Sequence, residues 1–83
     1  MSGTRRGDPR TGITFELAPE GLNVLRPDGR SAFIPAPAGY SLSHFGEGNL
    51  IVARGDVQVD GWRDWHFEAD LEAGRLRRLG PAY

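Results

Sequence analysis

The residues of this chain with the widest chemical reach are its two histidines, His44 and His66, together with the groups close to them in sequence. Asp64 and His66 stand two apart, the spacing that puts two side chains on one side of an extended strand. With His44 they make a nominal three-ligand set for a transition metal. Metal sites of that kind repeat histidine or cysteine more densely, so a solvated polar face accounts for the same residues and no metal is expected. Ser41, Ser43 and His44 suggest a nucleophile and its base. Neighbours on an extended chain point to opposite sides, however, and no glycine turn opening a helix accompanies them. Gly46-Glu47-Gly48 imitates part of a phosphate-binding loop, but such a loop opens a helix, whereas an apolar run follows here and Glu47 repels an anion. No catalytic residue is assigned, no cofactor is expected, and the chain is read as a non-enzyme.

Composition removes further chemistry. Without cysteine there is no disulfide, thiolate zinc site, iron-sulfur cluster or thiol nucleophile. All ten basic side chains are arginine, a bias that a GC-rich bacterial genome produces, and the lack of lysine excludes a Schiff base or a P-loop lysine. With 83 residues, 39% of them hydrophobic and 25% charged, the chain has the makeup of one folded domain with a thin core. No apolar run approaches the ~18 residues of a membrane helix, and no apolar stretch follows Met1. A cytoplasmic protein that does not enter a membrane is expected.

The elements that position these residues follow a period of two. Residues 1–11 hold no apolar side chain after Met1 and are expected to be a disordered tail; residues 12–80 form the domain, and 81–83 a short C-terminal tail. Ile13, Phe15 and Leu17 alternate with Thr14 and Glu16, as a half-buried strand requires. Leu22 to Arg26 and Ser31 to Ile34 flank Pro27-Asp28-Gly29, a turn sequence with a preset φ, a self-bonding carboxylate and a left-handed position. Pro35-Ala36-Pro37 ends the second of these arms. Residues 38–49 fit either a loop or an irregular strand. Leu50 to Ala53 is a continuous apolar run, expected to be a central strand covered on both faces.

The clearest alternation runs from Trp62 to Leu71, with Trp65, Phe67, Ala69 and Leu71 on one face and Asp64, His66, Glu68 and Asp70 on the other. Glu72-Ala73-Gly74 returns it into Arg75 to Leu79. The expected fold is therefore all-β, a small antiparallel meander of about six strands forming a curled sheet or small barrel. The alternative is an α+β arrangement with one short helix near the C-terminus, between Phe67 and Leu79.

Charge is distributed unevenly over these strands. Asp56, Asp60, Asp64, Glu68, Asp70 and Glu72 have only Arg63 among them, while Arg75, Arg77 and Arg78 make the following strand basic. Cross-strand pairing on a solvated face explains the pattern structurally. Its functional reading is a surface for a charged partner, made of Trp62, Asp64, His66, Glu68, Arg75, Arg77 and Arg78. Trp65 belongs to the inward face, whereas Trp62 beside the Asp60-Gly61 turn is expected to be partly exposed, as interface tryptophans often are. These features point to a protein-interaction module binding another protein or a second copy of itself as a homodimer. The alternative is a nucleic-acid-binding small β-barrel that uses Arg5, Arg6, Arg10 and the terminal arginines. A net charge of −1 and the placing of the aromatic residues on an acidic strand weigh against it.

Overall fold

The structure is a computed structural model in which residues 4–82 are described; they contain eight strands and no helix. In chain order these are β1 (Arg5–Gly7), β2 (Thr14–Ala18), β3 (Gly21–Leu25), β4 (Ser31–Pro35), β5 (Tyr40–Phe45), β6 (Ile51–Val59), β7 (Trp62–Asp70) and β8 (Arg75–Pro81). The all-β, antiparallel reading holds, and the C-terminal helix is replaced by β7 and β8. The strands form two four-stranded sheets in simple order, β1-β2-β3-β4 and β5-β6-β7-β8. Neither sheet closes into a barrel. The chain changes sheet at Pro35-Ala36-Pro37, and residues 40–45, open between loop and strand in the sequence, are β5.

Alternation sets the core. In the first sheet Leu17, Leu22 and Ile34 are cross-strand neighbours, as are Phe15 and Val24. In the second sheet Leu42, Ala53 and Trp65 make one row and Phe45, Ile51 and Phe67 the next. These side chains, with Ile13 and Leu76, are buried between the sheets. The expectation for the Leu50–Ala53 run is met from Ile51 onward: Ile51 and Ala53 face the core, and Val52 on the opposite face is also buried, between its register partners His44 and His66. Leu50 is half-buried at the turn before it. One main-chain hydrogen bond, from Leu42 N–H to Pro19 O at 3.0 Å, ties β5 to the β2–β3 turn.

The expected N-terminal tail is corrected over residues 4–11. Arg5–Gly7 pair with Thr14–Glu16 as β1, and Asp8 to Thr11 form a closed turn in which Asp8 accepts from Arg10 N–H and from the Thr11 hydroxyl, both at 3.0 Å. Strand pairing spends main-chain groups, so it needs no apolar side chain. Arg6 adds the tertiary anchor. Its guanidinium lies over the Phe45 ring, 5.0 Å from the centroid, and donates to the carbonyls of Gly46, at 2.7 Å, and Gly48. Residues 1–3 of that expected tail, and Tyr83 of the C-terminal one, lie outside the described residues. Pro81 ends β8, and Ala82 N–H still bonds Asp64 O at 2.8 Å.

Phe33, 51% exposed, has a local reason for its place on the outer side of β4. A Cβ on Gly21 would overlap its ring and come within 2.6 Å of the Ile34 carbonyl oxygen. The aromatic ring thus covers a glycine on the neighbouring strand, a packing that replaces the missing side chain.

Candidate interaction surface

The outer face of the second sheet gathers most of the polar residues singled out in the sequence. Register places Asp64 opposite Arg54, His66 opposite Val52, Glu68 opposite Arg77 and Asp70 opposite Arg75. Two of these pairs close as ion pairs, Arg54–Asp64 at 3.6 Å and Arg77–Glu68. The Glu68 carboxylate, by accepting from Arg77, raises the guanidinium pKa above its ordinary value. The three acids and His66 are half-buried by their neighbours rather than fully solvated. Paired charges of this kind on an accessible face are screened by solvent and do little to hold the fold.

His44 joins the same face. A bulge between Leu42 and His44 shifts the β5 register by one residue, so that His44 and His66 flank Val52 from opposite sides, about two strand spacings or 10 Å apart. Among the described residues no three His, Asp or Glu side chains gather around one point. The Ser43 hydroxyl lies 3.0 Å from His44 Nδ1, a local contact between neighbours on an exposed strand. The Gly46-Glu47-Gly48 turn shows carbonyls rather than amides to its surroundings, and Arg6 occupies them.

Arg78 departs from the predicted set. It alternates with Arg77 and therefore faces inward, opposite Phe67. Its guanidinium lies over the Trp65 ring at 4.4 Å and donates to the Tyr40 hydroxyl at 3.2 Å. Tyr40 in turn meets Phe67 edge-on, 5.1 Å between centroids at 73°. Such a cation over a ring contributes about 0.5–2 kcal/mol. Arg78 thus closes one margin of the core, while Asp64, His66, Glu68, Arg75 and Arg77 stand together on the outer face.

Trp62 belongs to a different feature, the end of the β6–β7 hairpin. Register between β5 and β6 runs only to Tyr40–Gly55, with Asp56 N–H reaching Gly39 O just beyond. On the other side, β8 leaves β7 at Trp65–Pro81. Residues 57–63 therefore extend past both neighbours as a two-stranded ribbon. At its root the β6 register breaks between Arg54 and Val59. Gly55 sits there because a Cβ would stand 3.1 Å from Val57 O and 3.2 Å from the Tyr40 ring. At the tip Asp60 and Gly61 both take positive φ, 53° and 85°, the two-residue turn whose twist matches a hairpin.

The molecule is correspondingly long, 41 × 24 × 20 Å, with a radius of gyration of 12.5 Å, against about 12 Å for a compact chain of this length. Val57 is 68% and Trp62 39% exposed on the ribbon. The Trp62 carbonyl accepts from the Trp65 indole N–H at 3.1 Å, which ties the ribbon root to the core. Trp62 was recognisable from its place beside an Asp-Gly turn. Val57 was not, because the overhang depends on where β5 and β8 stop. Compared with known protein families, with curated proteins and with solved structures, the chain matches none.

Proposed function

We propose that this chain is a non-enzymatic protein-interaction module of the cytoplasm that associates with a second copy of itself through the β6–β7 ribbon. The observation that carries the reading is the ribbon itself: Val57 and Trp62 are displayed beyond the ends of both flanking strands. Apolar and aromatic side chains so placed gain by being covered, and tryptophan is the residue type most often found at the energetic centre of an interface. The charges around them favour a like partner. Asp56, Asp60 and Arg63 close no ion pair among the described residues. A two-fold axis between two ribbons brings the Arg63 of one copy to the acids of the other.

Sedimentation velocity across the micromolar range tests this directly. The expected result is a concentration-dependent dimer, with Trp62→Ala or Val57→Asp raising its Kd about tenfold or more while circular dichroism stays unchanged. A strict monomer at high micromolar concentration rejects the reading.

The nucleic-acid alternative draws less support from the arginines it needs. Arg5 is paired with Glu16 at 3.1 Å, Arg6 holds the β5–β6 turn, Arg77 holds Glu68 and Arg78 lies on Trp65. A salt-dependent shift with an oligonucleotide at low ionic strength would reinstate it.

A further inference from the structure

Asp28-Gly29 and Asp60-Gly61 are the chain's two aspartyl-glycine steps, and all four residues are exposed. Such a step is where a main chain can react with its own side chain. Glycine has no Cβ to shield its nitrogen, and that nitrogen closes a five-membered ring with the aspartate carboxyl when the two meet. Whether they meet depends on how firmly the turn holds them apart, and the two turns differ in this.

The Asp28 turn is closed on every reacting group. Gly29 N–H, which would be the nucleophile, donates to Arg26 O at 3.0 Å, and Arg26 N–H donates to Arg30 O at 2.8 Å. The Asp28 carboxylate accepts from the Arg30 amide and from its guanidinium, both at 2.9 Å. The Asp60 turn lacks these ties. Among the described residues neither the Asp60 carboxylate nor the Gly61 N–H has a hydrogen-bond or ion-pair partner. Asp60 also takes a left-handed φ of 53°, which a residue with a Cβ adopts at a cost. Beyond the register break at Arg54, one pair, Val59–Trp62, holds the tip, on a ribbon whose register neither β5 nor β8 continues.

We infer that Asp60 is a site of aspartate isomerisation from which Asp28 is protected. The Gly61 nitrogen attacks Cγ of the protonated Asp60 carboxyl. The N–Cγ bond forms, the Cγ–OH bond breaks, and the proton on nitrogen leaves with the hydroxyl as water. Water then opens the succinimide. Addition at Cγ restores aspartate, whereas addition at the main-chain carbonyl gives isoaspartate, whose chain runs through Cβ and Cγ and whose carboxylate sits on Cα. The mass returns to its starting value and no co-reactant besides water is consumed. The extra methylene in the chain does not fit a two-residue turn, so isomerisation opens the ribbon tip. Its effect on self-association rests on the function proposed above.

The test keeps the whole chain at neutral pH and body temperature for weeks, beside a sample in guanidinium chloride, and then separates the peptides of both. An isoaspartyl peptide has the mass of its parent, a shifted elution and an α-carboxyl that an isoaspartyl methyltransferase labels. In denaturant the two steps should convert at similar rates. In the folded chain Asp60 should convert about tenfold or more faster than Asp28, whose turn must first break its hydrogen bonds. Equal rates in the folded chain, or protection of both steps, overturns the site. The isomerised chain, isolated by chromatography, should have lost the dimer seen for the unmodified chain in sedimentation. A dimer that persists overturns the link to the ribbon, whereas an unmodified chain that is itself monomeric removes the interaction reading and leaves the modification site standing.

Discussion

Asp8 shows how much a single polar side chain organises here. By accepting from the Arg10 amide, from the Thr11 hydroxyl and, through a weaker long-range attraction, from Arg10 itself, it closes the turn between β1 and β2, and its carboxyl is held below the ordinary 3.8. Asp28 does the same for the β3–β4 turn, bonded first to the Arg30 amide and then to its guanidinium, both at 2.9 Å. A carboxyl whose pKa is lower folded than unfolded stabilises the fold fully above the unfolded value, and loses that contribution as pH falls through the lower folded value. Replacing Asp8 with Asn removes one such group. In urea titrations at about pH 6 and about pH 2, the stability gap between the two conditions should narrow for Asp8→Asn; an undiminished gap would show that the turn carboxylate does not sense folding. Asp8 and Asp28 both lie on solvent-exposed turns, so the effect is one of direction and of the acid limb alone.

Among the elements, the β6–β7 ribbon depends on its tip. Gly61 at φ 85° is in the left-handed region, where a β-branched side chain is strained. Gly61→Val is expected to cost about 1–2 kcal/mol of stability and to speed amide exchange in residues 57–63 before that of the sheets. An unchanged urea midpoint would mean that the tip is not held in this turn. The limits of most strands were legible from period two and from Pro, Gly and Asp at the turns, because those residues act locally. Three features were not. β1 has no apolar residue and is held by pairing and by Arg6, so no hydrophobic rhythm announces it. The change of sheet at Pro35-Ala36-Pro37 looks in sequence like any strand end, since a broken ladder does not say which sheet the next strand joins. The inward turn of Arg78 follows from alternation, yet its role over Trp65 needs the tertiary approach of Tyr40. Of the candidate surface, the pairing of Asp64, His66 and Glu68 on one face could be read from spacing, whereas the overhang of Val57 could not.

At the level of the whole molecule the core is thin and shared. An 83-residue chain has about 4–12 kcal/mol of net stability at the typical 0.05–0.15 kcal/mol per residue. Leu22 is fully buried, next to Leu17 and Ile34 in register, so Leu22→Ala should cost about 2–5 kcal/mol, up to half or more of the total. Thermal unfolding should then fall by well over ten degrees or show a chain that is no longer cooperatively folded; a fall of only a degree or two would mean that the space between the sheets collapses to fill the hole.

Every ladder among the described residues joins strands that are consecutive in the chain, and the two halves meet through side chains, the Arg6 clamp and the Leu42–Pro19 bond. The connection through Ala36 to Gly39 is anchored at its two ends, Ala36 N–H donating to Glu20 O at 2.9 Å and Gly39 O accepting from Asp56 N–H at 2.8 Å, so a cut between Pro37 and Ala38 leaves one anchor on each half. A chain nicked there should hold together as two noncovalent pieces, and each half, made apart, would be a meander with one greasy side awaiting its complement.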